Sequence, residues 1–251
     1  MAAPSLFYSE NDPKSETYYV NIDLGGKNAP KPQTGIFVPE NYRVSDDVDM
    51  ILWLMGHHDN KDYPPSLSID DYWDKYSHFH FRQFVNAGNK NVVLVAPSLG
   101  PSSESGNLTN SGGLSRYLDQ VLAALEAYGP FSSTPSLGNL VIACHSGGGA
   151  PMLQIARTTQ RYSDNIKQLW GFDCVYGDVE PLWLQWAQQN SSKLLLVRYG
   201  ESTPDRSRTL AGLAKNQSNI NVDGDSTTRH NKVPETYWYR FMRQARIFLD
   251  K

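Results

Sequence analysis

The residues best suited to chemistry cluster in Asn139–Pro151, NLVIACHSGGGAP. An apolar run ends on a His-Ser pair, and three glycines, an alanine and a proline follow. Ser146 has the setting of a nucleophile held on a sharp turn between a strand and a helix. Such a turn crowds its neighbours, so small residues are needed two before and two after the serine; Cys144 and Gly148 stand there. Gly147 offers an unobstructed backbone N–H beside the serine oxygen, and the N-terminus of a helix starting near Ala150 adds a dipole that favours an oxyanion. Pro151 suits the first turn of that helix, where its missing N–H costs nothing. Two other readings stand beside this one. The segment is also compatible with a plain Gly-rich connection, or with Cys144 as the nucleophile, although Cys144 should face into the sheet while the apex exposes Ser146.

The elements around this turn decide its meaning. Short β-branched and Leu-rich runs predict strands at Thr17–Leu24, Thr34–Val38, Asp49–Met55, Val92–Ala96, Leu140–Cys144, Leu169–Val175 and Leu194–Tyr199. The first two read as an antiparallel start. The later runs are apolar at nearly every position, as in parallel strands covered on both faces. Helical spacing is found over Asp70–Ala87, Leu114–Ala127, Pro181–Gln189 and Glu235–Leu249. This alternation predicts an α/β fold with a mostly parallel, doubly wound sheet and helices on both faces. The expectation is one domain over residues 1–251. Ser146 then sits at the C-terminal end of a central strand, where open α/β sheets bind ligands. A long Gly/Ser/Pro-rich loop, Pro97–Gly113, follows the fourth predicted strand; such loops are often functional or mobile.

With strand, turn and helix in place, Cys144-His145-Ser146-Gly147-Gly148 resembles the nucleophile elbow of the α/β-hydrolase superfamily, G-x-S-x-G, with cysteine in the first glycine place. The resemblance implies that an acid and then a histidine follow the serine. His230, in the polar loop Ser226–Asn231, is the sole histidine after Ser146. The resemblance makes it the general base. The acid usually follows the strand at Leu194–Tyr199, where Glu201 and Asp205 are available, but the customary place holds Thr203. Asp173, set among Trp170, Phe172, Cys174 and Val175, is the preferred acid. A carboxylate in such company is costly unless paired, and an imidazolium would pair it. Asp205 is the alternative, with Glu201 and Asp178 after it. The loop Met55-Gly56-His57 resembles the superfamily's H-G-x loop, so the backbone N–H groups of His57 and Gly147 are expected to form the oxyanion hole. A competing reading takes His57, His58 and Asp59, with His78 and His80, as a metal site; adjacent histidines point different ways, and the fuller metallo-hydrolase pattern is absent. No metal site is expected.

These residues imply a serine hydrolase acting on a carboxylic ester, thioester or amide, with no cofactor and a small-molecule acyl substrate. A non-catalytic small-molecule-binding protein on the same fold, or an acyltransferase, would share the features. Aromatic residues crowd Tyr63–Phe81, and Trp183 and Trp186 follow the sixth predicted strand. Most of these suit core packing, and any lid is short. The totals set outer bounds. In 251 residues, 39% are hydrophobic and 20% charged, with net charge -3. That balance, without a basic stripe, argues against nucleic acid, and no apolar run is long enough for a membrane span. The start, MAAPSLFYSENDPKSE, lacks the marks of a signal peptide, and the two cysteines read as buried free thiols, so a cytoplasmic location is expected.

Overall fold

In the computed structural model, residues 2–12, 15–25, 30–58, 60–76 and 79–251 are described. Nine strands form one sheet: β1 (Leu6–Asp12), β2 (Ser15–Val20), β3 (Thr34–Val38), β4 (Asp47–Leu54), β5 (Val93–Pro97), β6 (Ser136–His145), β7 (Ile166–Phe172), β8 (Leu194–Tyr199) and β9 (Ile220–Gly224). Their spatial order is β1-β2-β3-β5-β4-β6-β7-β8-β9. The β1–β2, β2–β3 and β3–β5 pairs are antiparallel, and every pair from β5 to β9 is parallel. The antiparallel start and the parallel body match the sequence expectation.

Among the described residues, seven α-helices accompany the strands: α1 (Ile69–Asp74), α2 (Phe81–Ala87), α3 (Gly113–Tyr128), α4 (Gly149–Thr158), α5 (Glu180–Gln189), α6 (Pro204–Leu213) and α7 (Val233–Gln244). Side chains alternate across a strand, so β7 shows how both faces are covered. Trp170 and Phe172 meet Trp238 and Phe241 of α7, and Trp53 of β4 meets Phe81 of α2 and Trp238. Gly171, between the two aromatics, points the other way, and a side chain there would approach Met152 of α4. The aromatic side fixes α2 and α7 to one face through large, geometrically specific contacts.

Several boundaries differ from expectation. The helix predicted over Asp70–Ala87 is two helices, since α1 ends at Asp74 and α2 begins after His80. The final helix ends at Gln244, five residues early. β1, β9 and α6 were not anticipated. β9 is a half-exposed edge strand, and α6 buries just Ser207 and Leu210, so neither carries much apolar signal. β7 stops at Phe172, which leaves Asp173 in the turn immediately beyond it.

Candidate active site

Five neighbouring strands, β4, β6, β7, β8 and β9, run parallel, so the segments leaving their C-terminal ends converge on one edge of the sheet. Gly56 and His57 follow β4, Ser146 follows β6, Asp173 follows β7, Gly200–Thr203 follow β8 and His230 follows β9.

Ser146 opens a single 3-10 turn, Ser146–Gly148, that leads directly into α4. Its φ is +53°, in the left-handed region that a side chain with a Cβ adopts at a cost of about 1–3 kcal/mol. Close packing holds the turn in place. A Cβ on Gly148 would lie 2.5 Å from the Leu54 carbonyl oxygen, and one on Gly56 would lie 2.7 Å from the Ser146 Cβ. Gly147 has no intrahelical acceptor for its N–H at the start of this turn. The imidazole of His57 lies over it, 2.2 Å from where a Gly147 Cβ would be. The loop that carries His57 is braced by the long segment after β5. Ser103 donates its hydroxyl to the Met55 carbonyl at 3.2 Å, and the His58 N–H donates to the Pro101 carbonyl at 2.8 Å. That segment is a support in this structure, built around a left-handed Ser103.

Asp173 is fully buried and also left-handed, at φ +46°. Its carboxylate accepts five hydrogen bonds. Oδ1 receives the Gly200 N–H (2.9 Å), the Thr203 N–H (3.0 Å) and the Thr203 hydroxyl (2.6 Å). Oδ2 receives the Ser202 N–H at 3.2 Å and lies 2.6 Å from His230 Nδ1. Burial pushes the carboxyl's pKa up. Hydrogen bonds from His230, Thr203 and Gly200, and electrostatic attraction to His230, outweigh it and hold the group at about 2. Asp173 is therefore an anion clamped against one ring nitrogen of His230, Nδ1.

The other carboxylates are placed elsewhere. Asp205 lies exposed in the first turn of α6 and pairs with Arg208. Asp178 pairs with Arg206 at the surface. Glu201 meets the histidine only through its backbone, accepting the His230 N–H at 3.0 Å. Thr203, which occupies the place where the superfamily usually has its acid, donates twice to Asp173. Cys144 is wholly buried, and burial pushes its thiol well above the ordinary range, which disfavours a thiolate. Among the described residues, no group of three or more His, Cys, Asp or Glu side chains converges as metal ligands. Of the residues in the metal alternative, Asp59 and His78 lie outside the described residues, His58 is buried, and His80 precedes α2 without a side-chain capping bond.

The sequence offered no role for His145. In the structure its Nε2 lies 3.0 Å from the His230 backbone oxygen, and the two imidazoles meet at a tilt of 32° with centroids 4.3 Å apart. Its ring also meets that of Phe79, with centroids 5.6 Å apart. His145 thus ties the residue before the serine to the loop that bears His230. Tyr176 was also missed. Its phenol lies beside the Ser146 and Ser202 hydroxyls, and its ring stands edge-on to His230 at 6.4 Å.

Two clefts meet at Ser146. One, of about 510 Å³, contains His230, His145, Tyr63, Tyr72 and Phe79 together with charged residues at its rim. The other, of about 380 Å³, is walled by Leu153, Cys174, Tyr176, Val179 and Trp183. Of the aromatic residues noted in the sequence, Tyr72, Trp73, Phe79, Phe81, Trp183 and Trp186 belong to the core, and Tyr72, Phe79 and Trp183 also line a cleft.

Comparison of the sequence with protein-family models and with curated proteins finds no match. Solved structures do match. A ferulic acid esterase superposes with a TM-score of 0.56 at 12% identity, over 97% of this chain and 97% of that one. The ferric enterobactin esterase from Salmonella typhimurium superposes with a TM-score of 0.53 at 11% identity, over 85% of this chain and 55% of its own length. Identities this low speak to architecture alone. Together with the mostly parallel sheet and the strand-turn-helix at Ser146, they establish that this chain has the α/β-hydrolase fold.

Proposed function

We propose that the protein is a serine hydrolase that cleaves a carboxylic ester, thioester or amide through Ser146, His230 and Asp173. The observation that carries this reading is the 2.6 Å contact between His230 Nδ1 and the buried Asp173 carboxylate, with Ser146 on its left-handed turn lining the same cleft as His230.

The chemistry follows from these positions. With Nδ1–H held by Asp173, Nε2 is unprotonated and can take the Ser146 proton as Oγ attacks the substrate carbonyl carbon. The carbonyl π electrons move to oxygen, and the backbone N–H groups of His57 and Gly147 stabilise that oxyanion, helped by the N-terminal end of α4. As the intermediate collapses, the bond to the leaving atom breaks and Nε2 returns its proton to that atom. Water then repeats the sequence on the acyl-enzyme, releasing the acid and free Ser146. Asp173 keeps the imidazole in the useful tautomer and stabilises its charged form. The two superposed neighbours are both named as esterases, which favours an ester among the three bonds. No cofactor enters this scheme, and the substrate is a small acyl-bearing molecule.

A fluorophosphonate probe tests the proposal. Folded native protein should be labelled at a single site, and Ser146→Ala should abolish labelling. Lack of labelling, or labelling undiminished in Ser146→Ala, would overturn it and favour a binding protein on the same fold. Product analysis with added alcohol separates hydrolysis from acyl transfer.

A further inference from the structure

The two clefts that meet at Ser146 differ in chemistry, and that difference gives the substrate a direction. Ser146 and His57 line both clefts, whereas His230 lines only the larger one. If Ser146 is the nucleophile, the leaving atom must receive a proton from His230 Nε2, because Nδ1 is held by Asp173. The leaving half of the substrate therefore departs through the larger cleft, and the acyl half occupies the smaller one. Tyr176 stands at the boundary, lining the smaller cleft with its ring edge-on to His230.

The smaller cleft has no charged side chain among its described lining residues. Leu153, Val179 and Trp183 form its wall. At the ~30 Å³ that one water occupies in the liquid, its 380 Å³ holds on the order of ten non-hydrogen atoms. That suits a compact apolar acyl group. The larger cleft carries the opposite character. Lys61 and Arg229 supply donors, Asp62 and Glu201 supply acceptors, and Asn60 and Asn231 supply both. Among the described lining residues the four charges cancel in sign, which favours an uncharged group over a strongly charged one. Donors and acceptors distributed around the floor of Tyr63 and Phe79 suit hydroxyl groups on an apolar frame.

We infer that the substrate is an ester joining a compact apolar acid to an uncharged, hydroxyl-rich alcohol, with the acid beside Trp183 and the alcohol beside Lys61 and Arg229. This inference rests on the serine-hydrolase reading and adds a polarity to it. An amphiphilic ester with the halves exchanged would place hydroxyls against Leu153 and Val179, and an alkyl chain among exposed charges.

Two isomeric esters test the inference on the native protein: glycerol monohexanoate and hexyl glycerate. They have the same atoms and the same two carbon skeletons, with the acid and alcohol ends exchanged. The expected result is a kcat/KM at least about tenfold higher for glycerol monohexanoate, the scale on which pockets discriminate small apolar changes. Equal rates, or preference for hexyl glycerate, would overturn the inference. Cleavage of 4-nitrophenyl acetate, lost in Ser146→Ala, is the control for the underlying reading. If that control is positive and neither isomer is cleaved, the inference fails and the serine-hydrolase reading stands. If no ester is cleaved at all, the inference falls, and fluorophosphonate labelling alone decides the serine-hydrolase reading. Val179→Trp, which fills the smaller cleft from its partly exposed side, should lower the ratio of hexanoate to acetate turnover about tenfold on 4-nitrophenyl esters. An unchanged ratio in the folded variant would count against the acyl assignment, and the isomer pair decides the matter if that variant does not fold.

Discussion

Replacing Asp173 with asparagine should inactivate the protein while leaving its shape intact, and the hydrogen bonds around the carboxylate say how. Oδ1 accepts three hydrogens, from the Gly200 N–H and from both the N–H and the hydroxyl of Thr203. Oδ2 accepts one from Ser202 and faces His230 Nδ1. An asparagine amide keeps the most partners by placing its oxygen at Oδ1 and its NH2 at Oδ2. That NH2 then donates to Nδ1, so the ring proton moves to Nε2, where a base is needed. The comparable change in a chymotrypsin-type triad lowers kcat about 10⁴-fold through the wrong tautomer. A loss of that size corresponds to about 5.5 kcal/mol of transition-state stabilisation. The assay is kcat on 4-nitrophenyl acetate at neutral pH, with circular dichroism to verify folding. Asp205→Asn is the control and should stay within about threefold of the native rate, since Asp205 is exposed and paired with Arg208. A folded Asp173→Asn protein within tenfold of native kcat would refute the reasoning.

The same substitution has a signature in stability. The folded-state pKa of Asp173 is depressed from 3.8 to about 2. Its contribution, about 2 kcal/mol, is therefore fully present above the unfolded value near pH 4 and is lost as pH falls towards 2. Urea midpoints measured from pH 6 to pH 2 should show this component in native protein and lack it in Asp173→Asn. An identical pH dependence in the two proteins would contradict the depressed pKa.

Three further predictions follow from particular contacts. Thr203→Val removes the hydroxyl that donates to Asp173 at 2.6 Å; unfolding free energy should fall by about 1–3 kcal/mol, and the pH below which activity is lost should rise, whereas an unchanged acid limb would count against the contact. His145→Phe preserves the packing between Phe79 and His230 but deletes the bond to the His230 carbonyl; kcat should drop by about tenfold with little change in KM, the outcome of misplacing a base by a fraction of an ångström, and a purely structural role would lower thermal stability without moving kcat. Gly149→Ala would bring a methyl within 2.4 Å of the Cys174 carbonyl oxygen, a backbone atom; a cost of about 1–3 kcal/mol should appear in calorimetry as a melting temperature lower by several degrees, and an unshifted melting temperature would show that the turn has slack.

How far the sequence reached depended on whether the determining contacts were local. The turn at Ser146 was legible because its strand, small residues and helix are contiguous in the chain. Asp173 stood out because a carboxylate among Trp170, Phe172 and Val175 needs a compensating partner, and the structure brings His230 to it. The function of Thr203 was not legible. Its hydroxyl meets Asp173 only because β7 and β8 are neighbours with matched ends, a tertiary fact that the spacing after Gly200 does not carry. Its failure to be an aspartate read as a defect, whereas it donates two hydrogen bonds to the carboxylate that stands one strand away. His145 was silent for the same reason, since its partner is a backbone oxygen 85 residues on. Tyr176 gave no sign of lying near Ser146, as it sits in a loop behind Asp173. The missed edge strands β1 and β9 are poor in apolar alternation, and edges need little of it because one side faces no neighbour.

The central claim is that Ser146 carries the acyl group during turnover. Native protein mixed with 4-nitrophenyl hexanoate should be quenched in acid within the first turnovers, digested, and its peptides weighed by mass spectrometry. The account predicts a hexanoyl mass increment on the peptide containing Ser146, formed with a burst of nitrophenol and absent from Ser146→Ala. Ester turnover by native protein with the increment on another residue, or turnover that persists in Ser146→Ala, would contradict it.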